Sequence, residues 1–201
     1  MIESLMTLVI ATSLLLGSPG PVPIALAAIG ATFGVKQGLP FLCGILSGLL
    51  LVILATVLGL SALFIAYPNF RIICQIIASL YMVYIAYKIA TASVVPNIAE
   101  QSAPKFRDGL VLNVLNPKAY AAFIAIFSQF LLPLSSSSTS YLMTAVICIV
   151  VAALVDSLWL VFGSLLKPVF SSPKHAKAIR LVFAILLVIT VLVSLVFSLP
   201  S

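Results

Sequence analysis

The stretch that decides the fold class is LPFLCGILSGLLLVILATVLGLSALFIA, residues 39–66, which contains no charged residue. About 20 apolar residues in a row are enough for a helix to cross the hydrocarbon core of a bilayer. The rest of the 201-residue chain is similar, since 63% of its residues are hydrophobic and only 7% are charged. A soluble domain carries about 25% charged residues, so the composition predicts an integral membrane protein.

Polar or proline-containing segments divide the whole chain into six apolar runs. Backbone groups in lipid must pair internally, and long runs without period-two alternation predict helices rather than strands. We therefore expect a single all-α transmembrane domain, residues 1–201, with six transmembrane helices and the lipid bilayer as its solvent. The predicted spans are residues 4–33, 39–66, 70–92, 106–132, 141–166 and 181–199, with the serine run 135–138 and the basic segment 167–180 as loops.

The basic residues predict the orientation. Of the ten Lys and Arg residues, eight fall on one side of the membrane, Arg71 alone falls on the other, and Lys118 lies within a span. Cytoplasmic loops carry the excess of Lys and Arg, so we expect a protein of the cell inner (cytoplasmic) membrane with both termini extracytoplasmic. The net charge of +6 is thus topogenic, and without a basic stripe interleaved with aromatic residues no nucleic-acid partner is expected.

A polar linker, residues 93–105, separates two predicted half-repeats, 1–92 and 106–201, of three spans each. An odd number of spans makes the second half enter the membrane from the opposite side, so the halves are inverted. Each half opens with an interrupted helix, a pattern typical of the central site of a secondary transporter. The interruptions are Pro19, Gly20 and Pro21 in the first span, and Asn116 and Pro117 in the fourth.

Two ionisable residues, Lys118 and Asp156, stand deep in predicted spans. Each lies roughly 17 Å from the cytoplasmic end of its helix, at about 1.5 Å per residue. Charges at this depth are costly, so they pair with one another or act on a substrate or ion. We expect both side chains to face one cavity and to form an ion pair. Two interpretations are open: substrate binding or proton coupling, and a structural pair that locks the fourth and fifth spans.

The first interruption also predicts how a small zwitterion could bind. A half-helix beginning near Pro21 would direct its positive end into the membrane, where it suits a carboxylate. An amino group of the same molecule would then meet Asp156 or a free backbone carbonyl. The sequence therefore predicts an amino-acid-shaped site.

Small residues recur at helical spacing on two of the predicted spans. Such residues let helix backbones approach closely, and they serve internal packing and a homodimer equally, so both uses are open. The second span carries Gly44, Gly48, Ala55, Gly59, Ala62 and Ala66, and the fifth carries Ala145, Cys148, Ala152, Asp156 and Gly163, which places Asp156 on the packed face.

The sequence indicates neither a metal site nor an enzyme active site. The three cysteines lie inside apolar runs without a CxxC pair, and His175 is the only histidine, so no metal or cofactor is expected. The spans hold no nucleophile–base pair, so we expect no catalytic residue and no enzyme.

The motifs resemble the lysine exporter (LysE/RhtB) family of amino-acid efflux transporters over nearly the whole chain. The resemblance rests on order and spacing rather than on one decisive motif. One departure is Val22, where family members usually carry Asn or Asp, and it leaves open a less polar substrate or altered transport. The matching residues are Ser18-Pro19-Gly20-Pro21, then Gly30, Gly34, Gly38, Gly44 and Gly48; Phe106, Gly109, Asn113, Asn116-Pro117-Lys118 and Gln129-Phe130; and Asp156 with Trp159.

The resemblance implies six helices and export of amino acids or related small metabolites, coupled to the proton gradient. The alternatives are a non-transporting membrane subunit or scaffold and a facilitator insensitive to the gradient. The predicted substrate-binding or coupling residues are Pro19, Gly20, Pro21, Asn113, Asn116, Pro117, Lys118 and Asp156.

Overall fold

The computed structural model describes residues 1–59, 67–91 and 103–166, together with residues 177, 178, 181–186, 188, 189 and 192. In these residues helix is the only regular structure, which confirms the all-α fold class. The helices up to residue 166 are α1, Ile2–Gly17; α2, Pro21–Phe33; α3, Val35–Val57; α4, Pro68–Thr91; α5, Phe106–Val114; α6, Pro117–Gln129; and α7, Ser137–Leu165.

Two single helices are long and apolar enough to cross a membrane. These are α3, with 23 residues and a mean hydropathy of 2.4, and α7, with 29 residues and 2.6. The pairs α1–α2 and α5–α6 each make one further span that bends at its break, by 67° and 59°. The described residues thus contain up to four spans, which makes this a multi-pass membrane protein.

The full arrangement of six spans is not confirmed. Helix α4 coincides with the third predicted span, but most of the sixth, 181–199, lies outside the described residues, as does most of the linker 93–105. The division into inverted halves and the orientation of the termini therefore stay predictions. The two bends do fall where the sequence placed its interruptions, after Gly17 and after Val114.

Some predicted boundaries were wrong, for local reasons. Helix α3 begins at Val35 rather than near residue 39, because Gly34 adopts a φ of 84° and turns the chain directly from α2 into α3. It ends at Val57, so Gly59 lies beyond the helix, and a Cβ atom added there would meet no described residue within 4 Å. Among the described residues, Gly59 is therefore not part of a packed stripe. The expected continuation to residue 66 falls outside the described residues.

The serine run 135–138 was predicted as a loop, but α7 already begins within it. The hydroxyl of Ser136 accepts a hydrogen bond of 3.2 Å from the backbone N–H of Thr139. A serine at this position satisfies one of the free N–H groups of the first turn, which starts the helix two residues into the run.

Two close helix crossings hold the spans together, α3 against α5 and α2 against α7. A Cβ atom on the glycines at these crossings would overlap backbone atoms of the facing helix. At these positions the small residues therefore serve packing within the chain. The pairs are Gly44 with Phe106, Gly109 with Phe41, Gly30 with Leu160 and Gly163 with Ala27.

Each crossing joins a bent span to a straight one from the other predicted half. Two buried apolar clusters form around them, one that includes Val22 and Leu160 and one that includes Leu49, Ala119 and Ala152. Leu46 of α3 packs against both clusters. At each break the chain passes from one cluster to the other, since Leu16 and Ala119 pack in the second cluster and Val22 and Leu115 in the first.

Candidate functional site

The first break separates α1 from α2 at Ser18, Pro19 and Gly20. Pro21 occupies the first position of α2, where its missing N–H costs no hydrogen bond, and the N–H of Ile24 donates to the Gly20 carbonyl at 3.0 Å. The prolines thus end one helix and start the next within three residues. The carbonyl groups at the end of α1 are left without partners in their own helix.

Side chains from two other helices bind these freed carbonyls. The indole Nε1–H of Trp159, on α7, donates to the Gly17 carbonyl at 3.1 Å. The ammonium of Lys118, on α6, donates to the Ser18 carbonyl at 2.6 Å. A cation at the carboxyl end of a helix also interacts favourably with the helix dipole, so Lys118 stabilises the end of α1 from across the bundle.

Gly20 makes room for the Lys118 side chain. A Cβ atom at residue 20 would lie 3.0 Å from the Lys118 Nζ and 3.1 Å from its Cδ. The φ of Gly20, −174°, is extended backbone that any residue adopts, so this glycine is needed for space and not for its conformation.

The second break is capped by its own residues. Asn116 precedes α6, and its Oδ1 accepts a hydrogen bond of 3.2 Å from the backbone N–H of Lys118. Pro117 again fills the first helical position. The buried Asn113, one turn before the break, donates from Nδ2 to the Ile45 carbonyl at 2.8 Å, which ties α5 to α3. The polar side chains at this break therefore fix its geometry.

A small cavity lies between the two breaks. Its volume is about 20 Å³, counted as the space open to the centre of a water molecule, which is room for about one water. Polar and apolar groups share its wall. The lining residues are Asn113, Asn116, Lys118 and Asp156, and the apolar Leu16, Val22, Pro23, Leu49, Ala119 and Ala152.

Asp156 is the unsatisfied group of this cavity. Its side chain is only 4% exposed, and no described residue donates a hydrogen bond to it. Asp156 and Lys118 are close enough for their charges to interact. No salt bridge joins these two described side chains, so the predicted pair exists only as an interaction of charges in one cavity, and the hydrogen bond of the ammonium goes to the Ser18 carbonyl.

The structure places the predicted site residues in two groups. The cavity is lined by Asn113, Asn116, Lys118 and Asp156. The other predicted site residues, Pro19, Gly20, Pro21 and Pro117, form the breaks beside the cavity and do not line it. The hydrogen bond from Trp159 to the first break was not predicted. Its position three residues after Asp156 was the available signal, since residues so spaced share a helix face.

Replacing Trp159 with phenylalanine tests how much its hydrogen bond holds the first break. The change keeps an aromatic ring but leaves the Gly17 carbonyl without its donor, so we expect the free energy of unfolding to fall by about 1 kcal/mol. Equilibrium unfolding of the purified protein in detergent measures this.

Ser164→Ala is the matched control, because it removes a hydrogen bond of 2.8 Å to Val161 within the same helix and away from the break. Equal stability of Trp159→Phe and the wild type would contradict this role of the indole.

The fold and this site define a multi-pass helical membrane protein whose two bent spans enclose a charged cavity. The model of the LysE type translocator family matches residues 13–197, so the chain belongs to this family of membrane translocators, as its motifs indicated. It is also 31% identical over 147 residues to an uncharacterized membrane protein of Pseudomonas aeruginosa, which covers 68% of each chain. No solved structure matches the chain significantly.

Proposed function

We propose that this protein is a secondary transporter that exports amino acids or related small metabolites across the cytoplasmic membrane in exchange for protons. Membership of a translocator family supports transport. The observation that carries the proposal is Asp156, a buried carboxyl group without a hydrogen-bond donor among the described residues, in a cavity between two bent spans. Ionisable groups inside a membrane bundle mark substrate paths and proton relays.

The lone carboxyl group suits an exchange of cations. A buried carboxylate without a partner is costly, and either a proton or the ammonium group of a substrate removes that cost. A carboxyl group that has taken up a proton is neutral and no longer forms an ion pair with an ammonium group. Because the two cations compete for one group, proton uptake at Asp156 favours release of the substrate, and proton loss favours its binding.

The cavity must widen before it can hold an amino acid, because a space for about one water is too small. The two bends are where such a movement can occur, since helix segments meet there without a continuous backbone ladder. The bonds of Trp159 and Lys118 to the first break are single side-chain hydrogen bonds, each worth about 0.5–3 kcal/mol. Binding energy of a substrate can therefore open them.

Transport by the purified protein tests the proposal. We expect efflux of at least one labelled amino acid from preloaded proteoliposomes to exceed efflux from preloaded liposomes without protein several-fold. We also expect an imposed pH gradient to change the rate of efflux. A panel of neutral, basic and acidic amino acids covers the substrate class. Flux that ignores the pH gradient would indicate a facilitator, and flux equal to the lipid control across the panel would contradict transport.

A second candidate function is a non-transporting membrane subunit. The hydrogen bonds at the first break favour it, because Trp159 and Lys118 already satisfy the carbonyls that a substrate would bind. If this function holds, no labelled solute moves and replacement of Asp156 has no effect beyond stability. The same proteoliposome measurement therefore separates the two candidates.

A further inference from the structure

The start of α2 has few N–H groups with which to bind the carboxylate of a substrate. Helix N-termini bind anions through the N–H groups of their first residues. Here Pro21 and Pro23 have none, which leaves Val22 as the only donor among the first three residues. The side chain of Val22 adds an apolar surface to the cavity wall. The expectation that this helix end holds a carboxylate is therefore weakened.

The start of α6 is no better, because its donors are already used. Pro117 has no N–H, and the N–H of Lys118 donates to the Asn116 side chain. The N–H of Ala119 donates to the Asn116 carbonyl at 3.1 Å. Neither half-helix therefore offers the row of free N–H groups on which anion binding by a helix end depends.

The Lys118 ammonium is the remaining cation on the cavity wall, and its present partner is a weak one. An ammonium has three N–H donors, and a neutral carbonyl binds it less strongly than a carboxylate does. The bond of 2.6 Å to Ser18 joins α6 to the end of α1, 100 residues away in the sequence. A carboxylate entering the cavity would therefore bind this ammonium more strongly and draw it away from Ser18.

We propose that the site selects a zwitterion by its two charged groups: the substrate's ammonium binds Asp156, and its carboxylate displaces the Ser18 carbonyl from Lys118. Loss of the Lys118 bond frees the end of α1, so binding of the carboxylate also loosens the first bend. Lys118 is thus both the carboxylate-recognising residue and the contact whose exchange opens the cavity. This inference rests on the proposed function and adds to it which substrate groups are required.

The neutral charge balance of the wall supports a substrate with both charges. One cation and one anion among the lining residues match an amine and a carboxylate on a single molecule. A simple amine paired with Asp156 would leave the nearby Lys118 charge without an anion, and a simple carboxylate paired with Lys118 would leave the nearby Asp156 charge without a cation. Like charges in a medium of low dielectric repel strongly, so either molecule is disfavoured relative to the zwitterion.

Ligand binding to the purified wild-type protein in detergent tests the inference directly. The probes are alanine, leucine and lysine, each compared with its decarboxylated amine: ethylamine, isoamylamine and cadaverine. A ligand that binds the folded state raises its unfolding temperature, so titrations by thermal unfolding give the affinities. For the amino acid that binds best, we expect its amine to bind at least tenfold more weakly.

Trp159 supplies a second readout, because it is the only tryptophan of the chain and donates to the same break. We expect its fluorescence to change when the amino acid binds, and to remain constant with the amine. Lys118→Met should weaken the amino acid at least tenfold without weakening the amine, and Lys118→Arg should restore part of the difference. Glu3→Gln, on an exposed residue of α1, is the control for a change of charge elsewhere.

Three results would overturn the inference. If the amines bind as tightly as their amino acids, or if Lys118→Met weakens both ligands equally, in a protein that still transports amino acids, the role of Lys118 is contradicted and the proposed function stands. If no probe binds and none is transported, the proposed function fails with it. The wild-type comparison keeps the test valid even if Lys118→Met does not fold.

Discussion

Replacement of Asp156 by asparagine is expected to reduce transport by about 10–100-fold while leaving the protein at least as stable as the wild type. The loss follows because the amide can neither take up a proton nor pair with an ammonium, and a hydrogen bond to a charged group is worth about 1.5–3 kcal/mol. The stability follows because Asp156 has no hydrogen-bond donor among the described residues to lose.

This pair of measurements separates the two interpretations that the sequence left open. Removing one partner of a buried structural ion pair costs about 3–5 kcal/mol of stability, because the other charge stays buried without compensation. A destabilisation of that size in Asp156→Asn would show a locking role and contradict the binding role. Asp156→Glu keeps the carboxyl group and should retain part of the transport, whereas Glu3→Gln should leave transport unchanged.

The second large effect is expected at the crossing of α2 and α7. In Gly30→Ala, the new methyl group would overlap the backbone carbonyl of Leu160, which cannot turn away as a side chain can. The helices must separate, so we expect a loss of about 1–3 kcal/mol or more in the free energy of unfolding. Unfolding in detergent and the yield of monodisperse protein measure it.

Gly38→Ala is a closely matched control, because it also meets Leu160. There the nearest atom is the side-chain Cδ1, at 2.5 Å from the added Cβ, and a leucine side chain can adopt another rotamer. We therefore expect a clearly smaller loss of stability than for Gly30→Ala. Equal effects of the two substitutions would contradict the claim that contact between backbones sets the distance between these helices.

The crossing of α2 and α7 also positions residues of the candidate site. Trp159 and Asp156 lie on α7 within one turn of Leu160, and α2 carries Val22 and Pro23 to the cavity wall. A separation of α2 from α7 would move Trp159 away from the Gly17 carbonyl and open the cavity on one side. The packing glycines therefore support the function without contacting a substrate.

The sequence determined the class of protein and the positions of the breaks, because both depend on local chemistry. Long apolar runs need no knowledge of their neighbours to be assigned to lipid. Proline lacks the N–H of a helix ladder wherever it stands, so Pro21 and Pro117 begin α2 and α6 where the sequence predicted interruptions. Hydropathy was less reliable at the helix ends, where Gly34 and Ser136 decided the boundaries instead.

Only the tertiary structure decided how the charged groups are paired. Equal depth along two helices predicted an ion pair of Lys118 with Asp156, but depth does not give the rotation of a helix or the position of a third one. The end of α1 lies nearer to the ammonium, so Lys118 binds Ser18 and Asp156 remains without a donor among the described residues. The physical reason is that a side chain binds the strongest partner within its reach, and the glycine crossings between distant segments set that reach.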